Sequence, residues 1–205
     1  MSERRQGRAQ LIVIEGIDGA GKSTLSRALA TNLQQLGLSV RLASQPTAYA
    51  TGIRVRKLAR ANASREALTQ ALILDRRAQY YKVLRPAFRN AHVIICDRYF
   101  YSSVYQSTSI AHLRSQIAFY RRNLPIPDIT FVLLPTPFEA RKRILMSGRK
   151  LDRFEQNIAR YHRLYLSLRS YRETAFLSSH EPLVTLVKAC SSQILAKCKV
   201  PYEGG

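Results

Sequence analysis

The chain has 205 residues, 46% of them apolar, which is enough for one domain with a sizeable core and too apolar for a disordered chain. Its formal net charge of +20 points to an anionic substrate, a nucleic acid, or both, and the sequence holds no run of about eighteen apolar residues that would read as a membrane span. Cys96, Cys190 and Cys198 are odd in number and lack C-x-x-C spacing, which excludes a disulfide framework or a thiolate metal site; Cys96 reads as a small core residue.

The opening "MSERRQGR" leads into a β-like segment without an apolar signal region, so the expectation is a soluble, unexported, cytoplasmic chain. In "QLIVIEG", Leu11, Ile12, Val13 and Ile14 form a continuous apolar run, as in a parallel strand covered on both faces. Gly16 to Ser23 then fits G-x-x-x-x-G-K-[ST]. After it, Leu25, Ala28, Leu29, Leu33 and Leu36 mark one helical face that Gly37 stops. Strand, glycine loop and helix together make a phosphate-binding site: the glycines let backbone N–H groups turn inward at a helix N-terminus, Lys22 reaches outer phosphates, and the Ser23 hydroxyl completes a Mg²⁺ shell. The candidate set is Gly16, Asp18, Gly19, Ala20, Gly21, Lys22, Ser23 and Thr24, although Thr24 suits the helix better than a ligand role.

Further along, "LSVRLAS" reads as a second strand, "QPTAYATG" as a loop and "IRVRKLARA" as a basic helix. Ser64 caps a long helix through "SREALTQALILDRRAQYYKVLRPAFRNA", which Pro86 kinks or divides. "AHVIICDRYFYSS" is a buried strand running into polar residues, and "DITFVLLP" is another, introduced by the rigid "LPIPD" turn. "TPFEARKRILMSG" begins a helix with Pro137 in its first turn and Gly148 at its end. A longer helix fits "DRFEQNIARYHRLYLSLRSYRETAF", and "EPLVTLVKACSSQILAKC" suggests a last strand and a short terminal helix. The alternation implies an α/β three-layer sandwich with a parallel sheet, in a single domain over 1–205. Residues 45–62 and 141–155 read as insertions over the sheet edge, an acceptor-side loop and helix and a lid.

Neither a D-x-x-G-like switch nor a base-reading N-K-x-D accompanies the loop, which disfavours a GTPase, and no filament module supports a motor. The chain supplies arginines instead: Arg56, Arg77, Arg98, Arg149 and Arg153. Guanidinium groups grip phosphate oxygens bidentately and neutralise charge while a phosphoryl group moves, so the set suits transfer between two phosphorylated compounds. Arg98 follows the strand "HVIIC", where ligands of α/β sheets collect; Asp97 either holds Arg98 or helps to order Mg²⁺.

The motifs "IEGIDGAGKST", "GIRVRKL", "DRRAQ", "CDRY..SS..YQ", "PDITFVL" and "LDRFE", in this order over most of the chain, resemble the thymidylate kinase family of P-loop nucleoside monophosphate kinases. The resemblance implies ATP and Mg²⁺ as cofactors, transfer from ATP to dTMP, and a homodimer. It places ATP phosphates on "GAGKST", Asp18 near the sugar or phosphate of the monophosphate, Arg56 and Arg98 on the acceptor phosphate, Arg77 beside the pyrimidine and Gln106 at the base edge. Arg149 and Arg153 match a basic lid over ATP. Three features depart from the pattern. "ASQPTA" stands for the family's "REPGGT", Ile73 stands four residues before Arg77 where an aromatic is expected to pack on thymine, and the spacing from "DRY" to Tyr105–Gln106 is one residue shorter. A neighbour such as Tyr49, Phe100 or Tyr101 is a candidate replacement for the aromatic face. These departures keep two alternatives in view: a same-fold kinase for another nucleotide, nucleoside or small phosphorylated molecule, and a non-catalytic polyanion-binding P-loop protein. The basic residues form no compact tail or finger, so no specific nucleic-acid partner is expected, and non-specific polyanion adhesion fits the charge.

Overall fold

The apolar run Leu11–Ile14 lies in β1 (Gln10–Gly16), and all four side chains are fully buried. A strand apolar on both faces has to be covered on both, and the fold meets that requirement. The computed structural model of the protein describes residues 8–148 and 150–197, apart from the Arg153 side chain. Within them β1, β2 (Val40–Ser44), β3 (Val93–Asp97), β4 (Ile129–Leu133) and β5 (Thr174–Leu177) form a parallel sheet of order β2-β3-β1-β4-β5. Ile12 pairs with Ile95 on one side and Ile14 with Phe131 on the other. From β1 the chain crosses to the edge strand β2, returns to β3 beside β1, and then passes to the other side for β4 and β5, so a crevice opens at the carboxyl ends of β1, β3 and β4. Cys96 is in the core between them.

Helix α1 (Lys22–Gln35) buries Leu25, Leu29 and Leu33 and ends as expected: Gly37 has φ 80°, and the Leu38 N–H bonds back to the Leu33 carbonyl at 3.1 Å. Helices α2 (Ala50–Arg60) and α3 (Arg65–Gln79) form a pair over the acceptor side, with Ser64 capping α3 by accepting the Ala67 N–H. The long helix expected from Ser64 is divided: α3 widens into a π turn at Tyr80–Leu84 and continues as α4 (Arg85–Asn90), with Pro86 in its first turn. The wider turn gives the proline ring room and removes the need for the N–H it lacks.

Three expectations are corrected. Helix α5 (Ile110–Asn123), capped by Ser109, had no counterpart in the sequence reading. After α6 (Pro137–Met146), with its Thr136–Glu139 capping box, the stretch read as one long helix breaks into α7 (Arg153–Gln156), α8 (Ile158–Leu166), a 3₁₀ turn at Ser167–Ser170, and the edge strand β5. The expected last strand is instead the start of α9 (Leu183–Lys197), whose Leu186, Val187, Cys190 and Ile194 recur at helical spacing and pack inward. Cys198 lies outside the described residues.

Gly16 fixes how closely β1 and β4 meet. Its φ is 144°, and a Cβ there would stand 2.0 Å from the Leu133 carbonyl oxygen. Gly16→Ala is therefore expected to lower the unfolding free energy by about 2–4 kcal/mol in urea titrations, because backbone rather than a flexible side chain has to move. A loss below about 0.5 kcal/mol would show that β1 and β4 can separate freely here.

Candidate active site

The glycine loop occupies the crevice. Gly19, at φ 78°, lies so close to α6 that a Cβ would stand 2.5 Å from the Ala140 carbonyl oxygen. Gly21 caps α1 without any side-chain hydrogen bond, and the first turn holds no acidic residue, which leaves that helix end as a receptor for an anion. Lys22 is only 6% exposed; its Nζ donates to the Ile17 carbonyl at 2.7 Å and stands 3.7 Å from Asp18. Burial, and then the neighbouring Arg98 charge, push its pKa down to about 8 against the opposing pull of Asp18, Asp97 and Glu15. The ammonium folds back on its own loop with less counter-charge than it can use, as expected of a site built for phosphate oxygens.

Ser23 donates its hydroxyl to Asp97 Oδ2, while Asp97 Oδ1 is buried without a hydrogen-bond partner among the described residues. Those residues contain no group of three histidine, cysteine or acidic side chains that could hold a metal. The pair therefore fits a hydrated magnesium ion, which leans on one or two protein oxygens plus phosphate, better than a caged metal. Asp97 stands at the end of β3 with Ser23, so of its two expected roles the structure favours ordering the cation over holding Arg98.

The arginine beside it is held by Asp18. Arg98 Nη2 forms an ion pair with Asp18 Oδ1, and its guanidinium lies 5.3 Å from the centre of the Tyr105 ring. Burial opposes the charge, yet Asp18 above all holds its pKa well above the usual value. Asp18 and Arg98 line a cleft whose walls include Pro46, Val55, Leu72, Tyr105 and Phe154. Arg76 and Gln106 line the same cleft. Arg56, on α2, donates to the Pro46 carbonyl at 3.1 Å and so stands against that wall.

Two expected residues are elsewhere. Ile73 packs on the main core and Arg77 points to solvent, because the face of α3 that meets the cleft runs Leu68, Leu72, Arg76 at four-residue spacing. The register of "DRRAQ" is thus one residue earlier: Arg76 is the inward arginine and Leu72 stands four before it. Nor do the suggested aromatic substitutes serve: Phe100 and Tyr101 are fully buried in the core, and Tyr49 lies under the Lys82 ammonium. The aromatic faces of the cleft are Tyr105 and Phe154, whose rings meet edge to face at 5.9 Å. Phe154 was legible in "LDRFE", beside the arginine that drew attention. Arg149 lies outside the described residues, as does the side chain of Arg153, whose backbone begins α7 behind the Asp152 cap.

Arg76 is 1% exposed, and among the described residues no carboxylate lies within ion-pair distance of it. It donates to Gln45 Oε1 at 3.4 Å, Ser103 Oγ at 3.2 Å and the Tyr99 carbonyl at 3.5 Å, all long, and its guanidinium lies 4.4 Å from the centre of the Tyr120 ring. Gln106 Oε1 is buried without a hydrogen-bond partner among the described residues. The cleft lining thus holds a guanidinium whose hydrogen bonds are long and carry no counter-charge, and an amide oxygen without a partner among the described residues.

The sequence matches the thymidylate kinase family over residues 14–188. The chain belongs to the thymidylate kinase family. A thymidylate kinase of Xanthomonas campestris pv. campestris (strain B100) is 36% identical over 162 residues, covering 77% of this chain and 71% of its own. One from Desulfotalea psychrophila is 29% identical over 186 residues, covering 89% and 88%. A third, from Xanthomonas oryzae pv. oryzae (strain PXO99A), is 34% identical over 163 residues. Family membership and the loop geometry agree on a nucleoside monophosphate kinase.

The buried lysine carries a measurable cost. Below pH 8 both folded and unfolded chains hold the Lys22 proton, so the folded state bears the whole penalty; between pH 8 and 10.5 the folded state releases it first and stability rises. Lys22→Met is expected to stabilise the ligand-free protein at pH 7 by on the order of 1–3 kcal/mol in urea titrations, with a gain that shrinks above pH 8, while turnover is lost. A destabilised Lys22→Met protein at pH 7 would contradict this.

Proposed function

We propose that the protein transfers the terminal phosphoryl group of ATP to the 5′-phosphate of dTMP, giving ADP and dTDP. The observation that carries this is a single cleft lined by Arg76 donors, by Gln106 Oε1, which has no partner among the described residues, and by the Asp18–Arg98 ion pair. A pyrimidine with a carbonyl next to an N–H complements the Arg76 donors and Gln106 Oε1, and a 5′-phosphate complements Arg98. Leu72, Val55 and Phe154 cover the base faces.

The donor phosphates lie on the loop, where the first-turn N–H groups of α1 and Lys22 take up their charge. Ser23 and Asp97 would hold a magnesium ion, which when bound would supply further neutralisation of phosphate oxygens. Arg98, joined by Arg56 from the Pro46 wall, orients the acceptor phosphate, while Asp18 keeps Arg98 aimed before the acceptor arrives. By the family resemblance, Arg149 and Arg153, which lie outside the described residues and side chains, are the candidates for adding positive charge at the donor phosphates. No described helix is long and apolar enough to cross a membrane. We read the protein as cytoplasmic and homodimeric; exposed Ile53, Leu74 and Tyr81 on the α2–α3 side support an interface, which sedimentation at several concentrations tests.

A panel of dTMP, dUMP, dCMP, dGMP, UMP and thymidine with the same Mg·ATP is the direct assay. Turnover of dTMP is expected to exceed that of dCMP at least about tenfold, because the cytosine amino group turns a donor toward Arg76. Activity on thymidine with none on any monophosphate would reject the proposal in favour of a nucleoside kinase.

A further inference from the structure

Beneath Arg98 lies a carboxylate that the chemistry above leaves unused. Glu15, next to last in β1, is fully buried. Its Oε1 accepts the backbone N–H groups of Tyr99 at 2.8 Å and Ser102 at 3.0 Å. Its Oε2 accepts the hydroxyls of Ser102 at 2.8 Å and, from α8, Tyr165 at 2.9 Å. A buried carboxylate is costly unless its oxygens are satisfied, and here four donors converge on it.

The segment they hold is a strained one. Arg98 has φ 71°, uncommon for a residue with a side chain, and such a backbone costs about 1–3 kcal/mol unless its surroundings determine it. Two consecutive amides do so: the Arg98 N–H bonds to the Ile14 carbonyl at 3.0 Å and the Tyr99 N–H to Glu15, so the exit of β3 is clamped to the exit of β1. The left-handed turn throws the Arg98 side chain back over the glycine loop, where it meets Asp18 and faces the cleft.

We propose that Glu15 is a positioning residue for acceptor binding, whose carboxylate locks the left-handed turn at Arg98 and so aims that guanidinium at the acceptor phosphate. The bond from Tyr165 ties α8, which follows the lid segment, to the same carboxylate. The inference rests on the reading of Arg98 as an acceptor-phosphate ligand.

A double-mutant cycle with Arg98 tests it, read by calorimetric titration of dTMP and by the KM for ATP. Glu15→Ala is expected to weaken dTMP binding about tenfold or more, and Glu15→Gln only about threefold, since the amide oxygen still reaches both backbone N–H groups; KM for ATP stays within about twofold. In an Arg98→Ala background, Glu15→Ala should weaken dTMP binding by less than about twofold. Equal losses in the two backgrounds would overturn the inference, as would Glu15→Gln as damaging as Glu15→Ala. Arg98→Ala with unchanged dTMP affinity would instead remove the ligand assignment and the inference with it. If circular dichroism shows Glu15→Ala unfolded, Glu15→Asp, too short to span both amides, takes its place in the cycle with the same expected coupling.

Discussion

Two cations, Lys22 and Arg98, are held in low dielectric at the carboxyl ends of β1 and β3, and much of the structure around them serves to keep them there. Asp18 touches both. Glu15 and Asp97 add negative charge from the two strand ends, and α6 lies over the loop near Gly19. The carboxylates offset the burial of Lys22 only in part, as its depressed pKa shows. The Lys22 charge, disfavoured first by burial, is fully supported only when phosphate enters the site, which couples the cost of the empty site to binding.

The acceptor side follows the same economy of charge. Where the family's acidic loop is replaced, the chain knits the segment with neutral groups and one buried carboxylate: Asp75 accepts the Thr47 N–H at 2.9 Å and the Thr51 hydroxyl at 2.8 Å, and Gln45 donates to Gln79 at 2.8 Å. Gln45 thereby turns its oxygen toward Arg76 without neutralising it. Four acidic residues, Glu15, Asp75, Glu155 and Glu173, are buried. This leaves the surface more basic than the formal charge of +20 alone conveys, in keeping with non-specific attraction to polyanions.

The strand, loop and helix at Gln10–Gln35 were legible because three independent signals coincide there: a continuous apolar run, the glycine spacing, and helical periodicity ending at Gly37. β2, β3 and β4 were legible for the same reason of apolar patterning between turn residues. Harder were β5, a four-residue edge strand with every side chain half-buried, and α9, whose Val184 and Val187 look β-like until their neighbours are counted at helical spacing. At the site, the phosphate loop and the Arg98 position followed from the motifs. The one-residue register of α3 did not, because Ile73 and Leu72 are equally apolar, Arg76 and Arg77 equally basic, and only packing against α2 decides which pair turns inward. Glu15 was hidden inside an apolar run, and its partners arrive from segments 84 to 150 residues away.

The claim that the buried Lys22 charge is fully supported only when phosphate binds can be measured through protons. Lys22, with a pKa near 8, is about half protonated at pH 8, and Mg·ATP should restore its full charge. Calorimetric titration in buffers of different ionisation enthalpy is expected to show uptake of about half a proton per Mg·ATP at pH 8, little at pH 6.5, and none at pH 8 with Lys22→Met. Binding of Mg·ATP at pH 8 without proton uptake by the parent protein would contradict it.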